Sequence, residues 1–237
     1  MTRPVLILAG GFGTRLRLAV PNVPKPLAPV AGRPFLDHLV ESWVAQGARD
    51  LVFLLHHQAE KVEDFLEAQR ASGRWQGCSM RCVTEPRPLG TGGAVAHGVA
   101  SLSLEGTFLV TNADTWLDSA FAELLAAPAP AIAVAHVSDV SRYGAVLLGA
   151  GMVVGFAEKE QRASSGWINA GVYHLADDMF RSWDGVAFSL EQSLLPAMSK
   201  AGRLRAVKMR GNFIDIGIAE DYERFDRWVT NGRGSTL

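Results

Sequence analysis

The sequence predicts an α/β fold, specifically a Rossmann-like mixed and mostly parallel sheet with helices on both faces. Two observations predict this class. From residue 5 to residue 111, apolar runs of strand length alternate with segments that have one apolar helical face. Past residue 131, strand-like runs follow each other with little helix between them, which indicates a partly antiparallel second half. A chain of 237 residues fits one domain, and we expect a single domain over residues 1–237 with halves that meet near residue 130.

The elements of the first half follow from this alternation. The apolar run at residues 5–9 ends at glycines, which is typical of a buried parallel strand. Phe35, Leu39 and Trp43 share one helical face, Pro34 suits the first turn of that helix, and Gly47 suits its end. The predicted strands of this half are 5–9, 51–55, 80–84 and 107–111, and its predicted helices are 34–46, 59–70 and 93–102.

The second half is predicted to be richer in strands. Its predicted strands are 132–137, 145–148, 153–158 and 168–175, and two late helices are predicted at 190–200 and 219–229. We expect these strands to pack on the same sheet as those of the first half.

Composition and charge exclude several classes of function. The formal net charge is -1, so the chain has no overall field for nucleic acid or an anionic membrane, and neither partner is expected. The longest apolar stretch, 124–137, is broken by Pro128 and Pro130, so no membrane span is expected. Cys78 and Cys82 are interpreted as structural thiols, because no further pair of ligands accompanies them for zinc. Two cysteines and an N-terminus without a signal peptide predict a cytoplasmic protein.

A glycine-rich segment follows the first predicted strand directly. Residues 8–15 read Leu-Ala-Gly-Gly-Phe-Gly-Thr-Arg, and glycines let the backbone approach a polyphosphate closely and present N–H groups to it. Arg15 adds a positive charge with bidentate geometry for phosphate oxygens. The segment is neither a Walker A loop nor the dinucleotide fingerprint, because the Gly-Lys-Ser/Thr ending and the third glycine are missing. The candidate nucleotide-binding residues here are Leu8, Ala9, Gly10, Gly11, Gly13 and Thr14.

A lysine between two prolines follows shortly after this segment. Pro24 and Pro26 stiffen the backbone on both sides of Lys25 and so fix where its ammonium points. A solvated loop lysine, which is the alternative, would not need that restriction. We therefore predict that Lys25 and Arg15 are the catalytic residues that bind phosphate.

These motifs resemble the signature of the sugar-1-phosphate nucleotidyltransferase family. The resemblance rests on the glycine-rich segment, on Pro-Lys-Pro-Leu at 24–27 and on Gly-Arg-Pro at 32–34, and it runs from residue 5 to about residue 222. Residues 17–23, Arg-Leu-Ala-Val-Pro-Asn-Val, depart from the family's usual Arg-Pro-Leu-Thr. That departure and the short chain are similar to the branch that acts on D-glycero-D-manno-heptose 1-phosphate with GTP. The resemblance implies a nucleotide-binding half at about 1–130 and a sugar-phosphate-binding half at about 131–237.

A second glycine-rich segment is predicted to form the base pocket. Residues 85–93 read Glu-Pro-Arg-Pro-Leu-Gly-Thr-Gly-Gly, and the missing side chains leave room for a planar base. The resemblance assigns Gly90 and Thr91 to this pocket. Glu85 is predicted to read guanine, because one carboxylate accepts from both the N1–H and the N2–H₂ donors of that base. A surface glutamate before a proline is the alternative for Glu85.

Two aspartates follow predicted strand runs in distant parts of the chain. Asp114 follows the strand at 107–111, and the carboxyl ends of parallel strands border the crevice where such sheets bind ligands. Asp215 lies in Asp-Ile-Gly after the apolar run that ends at residue 214. The resemblance assigns both to Mg²⁺, with Ala113 in place of the family's usual glycine, and Asn112 to the nucleotide. Mg²⁺ suits such a pair, because it takes one or two protein oxygens together with phosphate oxygens and water. A helix cap is the alternative for Asp114.

Segments of the second half resemble the sugar-phosphate-binding segments of the family. By this resemblance, Lys159 would neutralise the sugar phosphate, Glu158 and Asn169 would bond sugar hydroxyls, and Gly144 would offer backbone groups. Glu191 would lie near the sugar, with capping of its own helix an equally good interpretation.

The predicted reaction is an in-line displacement, in which a sugar phosphate oxygen attacks the α-phosphorus of the triphosphate and pyrophosphate leaves. Mg²⁺ is the expected cofactor, and a nucleoside triphosphate, GTP first, and a sugar 1-phosphate are the expected partners. UTP, dTTP or CTP with a hexose or aminosugar phosphate is the first alternative. A non-catalytic nucleotide-sugar-binding protein is the second, and it would be expected to lack Lys25, Asp114 or Asp215. The sequence leaves the oligomeric state open, homo-oligomers included.

Overall fold

The computed structural model describes residues 3–13, 23–157 and 164–232. In chain order the elements are β1 (Val5–Leu8), β2 (Pro29–Val30), β3 (Arg33–Pro34), α1 (Phe35–Ala45), β4 (Asp50–Leu55), α2 (Ala59–Ala71), β5 (Ser79–Thr84), α3 (Gly90–Ser101), β6 (Thr107–Asn112), β7 (Thr115–Leu117), α4 (Phe121–Ala126), β8 (Ala131–Val137), β9 (Ala145–Gly149), β10 (Met152–Ala157), β11 (Gly166–Ala176), α5 (Leu195–Lys200), β12 (Arg205–Lys208), β13 (Phe213–Asp215) and α6 (Ala219–Thr230). Short 3₁₀ turns lie at Lys25–Leu27 and Asp177–Phe180, and a π-helical turn lies at Leu190–Leu194.

The chain divides into two compact units that interleave along the sequence. Unit 1 comprises Met1–Pro88, Asn112–Asp118 and Gly211–Leu237, and unit 2 comprises Leu89–Thr111 and Ser119–Arg210. These boundaries follow spatial contacts and not a single cut near residue 130. The prediction of one domain over the whole chain stays a prediction.

Unit 1 is built on the parallel strands β5, β4 and β1, in that order. Val5 lies opposite Leu51, and Asp50 lies opposite Ser79. The continuous apolar sequences of β1 and β4 place almost every side chain in the core, as expected for strands covered on both faces. Two short antiparallel ladders, β2 with β3 and β7 with β13, complete its strand pairs among the described residues.

Unit 2 is richer in antiparallel pairs. Its strands follow the order β6, β11, β8, β12, β10 and β9. All these neighbours are antiparallel except β8 and β12, which run parallel with Arg205 opposite Ala131. The prediction of an α/β class with a mixed sheet and a partly antiparallel second half is confirmed.

Three predicted helix boundaries are wrong for identifiable reasons. Pro34 precedes α1 in an extended conformation and pairs with Pro29 in the β2–β3 ladder, so the helix starts one residue later. The third helix starts at Gly90 instead of Gly93, because Phe188 O accepts from the backbone N–H groups of Gly92 and Gly93 and so stabilises the first turn. The helix expected at 190–200 begins as a π turn and becomes α-helical at residue 195. Pro196 lies at that change, and a proline cannot donate a backbone hydrogen bond to the preceding turn.

Helix length bears on the expectation that the chain does not enter a membrane. Within residues 3–13, 23–157 and 164–232, no helix is both long enough and apolar enough to cross a bilayer.

Candidate active site

The first candidate site lies in unit 1, where β1 runs into the glycine-rich segment. The backbone N–H of Ala9 donates to Leu54 O, and the backbone N–H of Ala113 donates to Leu8 O. These bonds place the end of β1 beside β4 and beside the segment that carries Asp114. The sequence therefore brings the start of the predicted phosphate loop close to one of the predicted metal ligands.

Two glycines of this loop lie in close contact with other predicted site residues. A Cβ on Gly10 would lie 3.1 Å from Glu85 Oε1 and 3.0 Å from the backbone nitrogen of His56. Gly13 has φ +59°, and a Cβ there would lie 3.0 Å from Lys25 Cβ. Glycine at both positions thus allows Glu85 and Lys25 to approach the loop backbone.

Lys25, Asp114 and Asp215 form what we call the ammonium cluster. Lys25 Nζ lies 2.5 Å from Asp114 Oδ2 and 3.6 Å from Asp215 Oδ1. The Lys25 side chain is 10% exposed, against 32% for Asp114 and 17% for Asp215. One ammonium faces two carboxylates, so the formal charge of the cluster is negative. Partial burial strengthens these interactions relative to a pair in bulk water.

The pairing of β7 with β13 explains why the two aspartates meet. Asp215 lies opposite Thr115, the residue after Asp114, and the backbone N–H of Ile216 donates to Asp114 O at 3.0 Å. Asp215 Oδ1 also accepts from the backbone N–H of Gly217 at 2.7 Å, which fixes that carboxylate. A Cβ on Gly217 would clash with Lys25 Nζ, so the glycine of the Asp-Ile-Gly motif makes room for the ammonium.

The geometry of the ammonium cluster can be tested against the needs of a magnesium ion. Two carboxylates from distant segments already converge on one cationic centre, and carboxylate oxygens are the hard ligands that Mg²⁺ prefers. Within the described part of the chain, no group of three or more His, Cys, Asp or Glu side chains is placed to hold a metal ion. The pair therefore fits an ion that takes its remaining ligands from phosphate oxygens and water, as Mg²⁺ does in phosphoryl-transfer sites.

Glu85 is buried at the end of β5, next to the glycine-rich segment. Its backbone N–H donates to Leu55 O at 2.8 Å, and its backbone carbonyl lies 3.4 Å from His56 Nδ1. The surface-glutamate alternative is therefore wrong. The Glu85 carboxylate thus lies beside the loop backbone at Gly10, and its contact with a base stays a prediction.

Gly90 and Thr91 lie in unit 2 and begin α3. The backbone N–H groups of Gly92 and Gly93 donate to Phe188 O, and a Cβ on Gly92 would overlap the Phe188 ring. Close packing against Phe188 thus explains the absence of a side chain at Gly92 without a bound base. Contact of Gly90 and Thr91 with a base stays a prediction.

A chain of hydrogen bonds, which we call the Glu191 network, connects Thr91 with Asn169. Asn169 Nδ2 donates to the Tyr173 hydroxyl at 3.1 Å, and that hydroxyl donates to Glu191 Oε1 at 3.1 Å. The Thr91 and Ser189 hydroxyls donate to Glu191 Oε2 at 2.6 Å and 2.8 Å. Unit 2 therefore joins a residue predicted for the nucleotide to one predicted for the sugar.

Gly144, the other sugar-site prediction in the described residues, follows a turn before β9. Its φ is +85°, and its backbone N–H donates to Val140 O at 2.9 Å. A Cβ there would lie 3.1 Å from Ala157 O. Because Val140 O already accepts from this N–H, the predicted backbone contact of Gly144 with the sugar phosphate stays a prediction for its carbonyl alone.

The remaining predicted residues are placed as follows. Gly11 is exposed in the loop after β1, and Asn112 ends β6. Thr14, Arg15, Glu158 and Lys159 lie outside the described residues, so their predicted roles stay predictions.

Sequence reasoning missed three contributors. Tyr173 and Ser189 complete the Glu191 network, and Phe188 packs on the turn at Gly92. The Ser-Leu-Glu sequence at 189–191 signals a helix start, but no local pattern predicts a partner about a hundred residues away, as Thr91 is for Glu191.

Comparison with known proteins agrees with this geometry. A family model described as nucleotidyl transferase matches residues 4–231. The chain belongs to the nucleotidyl transferase family. It is 32% identical over 223 residues to the D-glycero-alpha-D-manno-heptose 1-phosphate guanylyltransferase of Campylobacter jejuni, covering 93% of this chain and 97% of that one. It is 34% identical over 225 residues to the mannose-1-phosphate guanylyltransferase catalytic subunit beta of Drosophila pseudoobscura, covering 92% of this chain. The match spans only 60% of the length of that insect relative.

Solved structures of other proteins share the fold. HddC from Yersinia pseudotuberculosis, solved in complex with GMP-PN, has a TM-score of 0.83 and 30% identity, with 96% of this chain and all of that chain (100%) covered. The UDP-glucose pyrophosphorylase from Acinetobacter baumannii has a TM-score of 0.77 at 20% identity, covers 99% of this chain and 95% of its own, and is a match of fold alone. The predicted family and fold class are confirmed, and so is the prediction of a nucleotidyltransferase at the level of the family.

Proposed function

We propose that the protein transfers GMP from GTP to D-glycero-D-manno-heptose 1-phosphate, which gives GDP-heptose and pyrophosphate for surface polysaccharide synthesis. The observation that carries the proposal is the ammonium cluster, which belongs to the same unit as the glycine-rich loop and Glu85. That unit thereby holds candidates for binding phosphate, for binding a metal and for reading the base. A cytoplasmic location for this step stays a prediction.

The choice of GTP is supported by Glu85 and by the relatives. Glu85 is buried beside Gly10, and a carboxylate accepts from two donors on one edge of guanine. The two relatives above at 32% and 34% identity are both named guanylyltransferases, and HddC was solved with a guanine nucleotide analogue. Uracil and thymine each present one ring N–H on the corresponding edge, so they would leave part of this acceptor unpaired.

The choice of heptose is supported by the Campylobacter jejuni relative, which is named a D-glycero-alpha-D-manno-heptose 1-phosphate guanylyltransferase and is 32% identical to this chain. It is also supported by residues 17–23, whose departure from the family's usual pattern is similar to the heptose branch. A relative at 34% identity is named a mannose-1-phosphate guanylyltransferase catalytic subunit beta. Mannose 1-phosphate is therefore the second candidate substrate, favoured by the slightly higher identity of 34%.

The proposed chemistry is a direct displacement at phosphorus. An oxygen of the sugar 1-phosphate forms a bond to the α-phosphorus of GTP, the bond to the bridging oxygen breaks, and pyrophosphate leaves with that electron pair. Lys25 neutralises phosphate oxygens during this exchange, and Arg15 is predicted to do the same. Glu85 orients the nucleotide through its base, while Lys159 and Asn169 are predicted to hold the sugar phosphate. Asp114 and Asp215 would hold a Mg²⁺ ion, which would supply charge neutralisation.

The test is a pyrophosphate-release assay that crosses GTP, UTP, dTTP and CTP with heptose, mannose, glucose and N-acetylglucosamine 1-phosphates. We expect the highest kcat/KM for GTP with the heptose 1-phosphate, loss of activity in excess chelator, and recovery on addition of Mg²⁺. A preference for GTP with mannose 1-phosphate would select the second candidate. Highest activity with a pyrimidine nucleotide would contradict the assignment of Glu85, and no release with any pair would contradict the proposed function.

A further inference from the structure

Glu191 accepts hydrogen bonds from three hydroxyl groups that come from three parts of the chain. The Thr91 and Ser189 hydroxyls reach Oε2 at 2.6 Å and 2.8 Å, and the Tyr173 hydroxyl reaches Oε1 at 3.1 Å. Thr91 lies in the first turn of α3, and Tyr173 lies on β11. One carboxylate therefore ties together two elements that are far apart in sequence.

The directions of two of these hydrogen bonds are fixed by other contacts. The Thr91 hydroxyl accepts from the backbone N–H of Leu190 at 2.9 Å, so its single proton is free to go to Glu191. The Ser189 oxygen accepts from the backbone N–H groups of Glu191 and Gln192, both at 3.1 Å, and its proton likewise goes to Glu191. Ser189 is thus the cap of this helix. The carboxylate of Glu191 is not needed for capping, so its position requires another explanation.

The third hydroxyl extends the network to Asn169. The Tyr173 side chain is fully buried, and its hydroxyl accepts from Asn169 Nδ2 at 3.1 Å while it donates to Glu191. Asn169 Oδ1 accepts from the backbone N–H of Gly171 at 3.0 Å, so the orientation of the amide is set at both ends. An amide nitrogen carries two hydrogens, and among the described residues Tyr173 takes one of them, so the other can go to a ligand hydroxyl.

We propose that Glu191 is a positioning residue that holds two separate segments in place and so sets the affinity of the protein for both the nucleotide and the sugar 1-phosphate. This inference rests on the proposed function. Through Thr91 it fixes the first turn of α3, which is predicted to contact the nucleotide. Through Tyr173 it fixes the amide of Asn169, which is predicted to bond the sugar. Only a group with two acceptor oxygens and no donor satisfies these hydroxyls together. We call the connection through Thr91 the nucleotide arm and the connection through Tyr173 the sugar arm. Glu191→Gln keeps the size of the side chain but replaces one acceptor by a donor and removes the charge. One arm therefore loses its bond, and the other keeps only a weaker bond between neutral groups.

The experiment measures kcat and the two KM values separately by pyrophosphate release for the wild type and three variants. Thr91→Val removes the nucleotide arm, Tyr173→Phe removes the sugar arm, and Glu191→Gln disturbs both. We expect about a tenfold rise in the KM for GTP in Thr91→Val, about a tenfold rise in the KM for the sugar 1-phosphate in Tyr173→Phe, and a rise in both KM values in Glu191→Gln. In all three, kcat should stay within about threefold of the wild type. Gln192→Ala, a neighbouring exposed side chain, serves as the matched control and should change neither KM.

A double variant tests whether the arms act through Glu191. Glu191→Gln with Tyr173→Phe should raise the KM for the sugar 1-phosphate by less than the product of the two single effects, because the shared bond can be lost only once. If Glu191→Gln does not fold, the two single-arm variants decide, and each must raise the KM of its own substrate only. A fall in melting temperature with both KM values unchanged would reduce Glu191 to a structural residue and overturn the proposal. A wild-type protein that is inactive with every substrate pair would contradict the proposed function itself, which is a different result.

Discussion

The ammonium cluster of unit 1 and the Glu191 network of unit 2 both hold carboxylates, but they satisfy them differently. In the cluster, two carboxylates share one ammonium, so the formal charges do not balance. In the network, one carboxylate accepts from three neutral hydroxyls, and a carboxylate can only accept. The first arrangement depends on charge and the second depends on geometry.

This difference indicates which group changes its partners during a reaction. The lysine can exchange a carboxylate for a phosphate oxygen, and the carboxylates can exchange the ammonium for a metal ion. Each such exchange restores the balance of charge. The hydroxyls of the network have no comparable alternative, because their hydrogen bonds are already made within the fold. We therefore expect substitutions in the cluster to lower turnover and substitutions in the network to change affinity or stability.

The largest expected effect is the loss of an aspartate from the ammonium cluster. Metal stabilisation of the transition state is worth several kcal/mol, and a loss of ~4 kcal/mol corresponds to a rate about a thousandfold lower. Asp114→Ala and Asp215→Ala should each lower kcat/KM by about that factor, measured by pyrophosphate release. The double variant should be little worse than either single variant, because one shared ion is lost only once.

An exposed aspartate provides the control for this comparison. Asp64→Ala removes a carboxylate from the surface of α2 and should leave kcat/KM unchanged. Losses at Asp114 and Asp215 that add fully in the double variant would mean that the two carboxylates do separate jobs, which contradicts a shared metal.

The next effect concerns Lys25, and it has two readouts. Lys25→Met keeps the apolar stem and removes the charge, so kcat/KM should fall about a hundredfold, as for other groups that stabilise transition-state charge. The variant removes the ammonium that faces Asp114 and Asp215. Its melting temperature in chelator should therefore be lower than that of the wild type, and it should recover when Mg²⁺ is added. The wild type should show a smaller gain from Mg²⁺.

Lys200→Met, at an exposed position at the end of α5, is the matched control and should change neither readout. A melting temperature of Lys25→Met that falls equally with and without Mg²⁺ would show that the lysine stabilises the fold by packing and not by charge.

The residues of the ammonium cluster could be predicted from the sequence, whereas their ion pairs and the Glu191 network could not. Lys25 lies between prolines, and both aspartates follow apolar strand runs, so each carries a local signal of its position. The convergence of the aspartates needed the β7–β13 pairing, which two three-residue strands are too short to reveal in advance. In the Glu191 network, Thr91 and Tyr173 are neutral residues without a local signal, and Glu191 lies in a sequence that indicates only a helix start. Their contacts join residues up to 100 positions apart, so no local pattern predicts them. At Gly92 the missing side chain predicts close approach but not what approaches, which in the structure is Phe188.

A smaller effect is expected at Glu85, where charge and geometry both matter. Glu85→Gln replaces one acceptor oxygen by a donor beside Gly10, so the preference for GTP over UTP should fall by ~1–3 kcal/mol, the cost of an unpaired polar group. The measurement is the ratio of kcat/KM for the two nucleotides. Glu60→Gln, an exposed position on α2, should keep the wild-type ratio. An unchanged ratio in Glu85→Gln would assign the reading of the base to another residue.

The smallest effect separates the two regions with the same chemical change, the addition of one methyl group to a glycine. Gly217→Ala places a Cβ against Lys25 Nζ, so the ammonium must move, and kcat/KM should fall about tenfold with little change in melting temperature. Gly92→Ala places a Cβ against the Phe188 ring, and such overpacking costs ~1–3 kcal/mol of stability. Gly155→Ala meets only an ordinary contact at 3.5 Å and serves as the control for both. If Gly92→Ala lowered turnover at unchanged stability while Gly217→Ala only lowered stability, the assignment of charge chemistry to unit 1 and of positioning to unit 2 would be reversed.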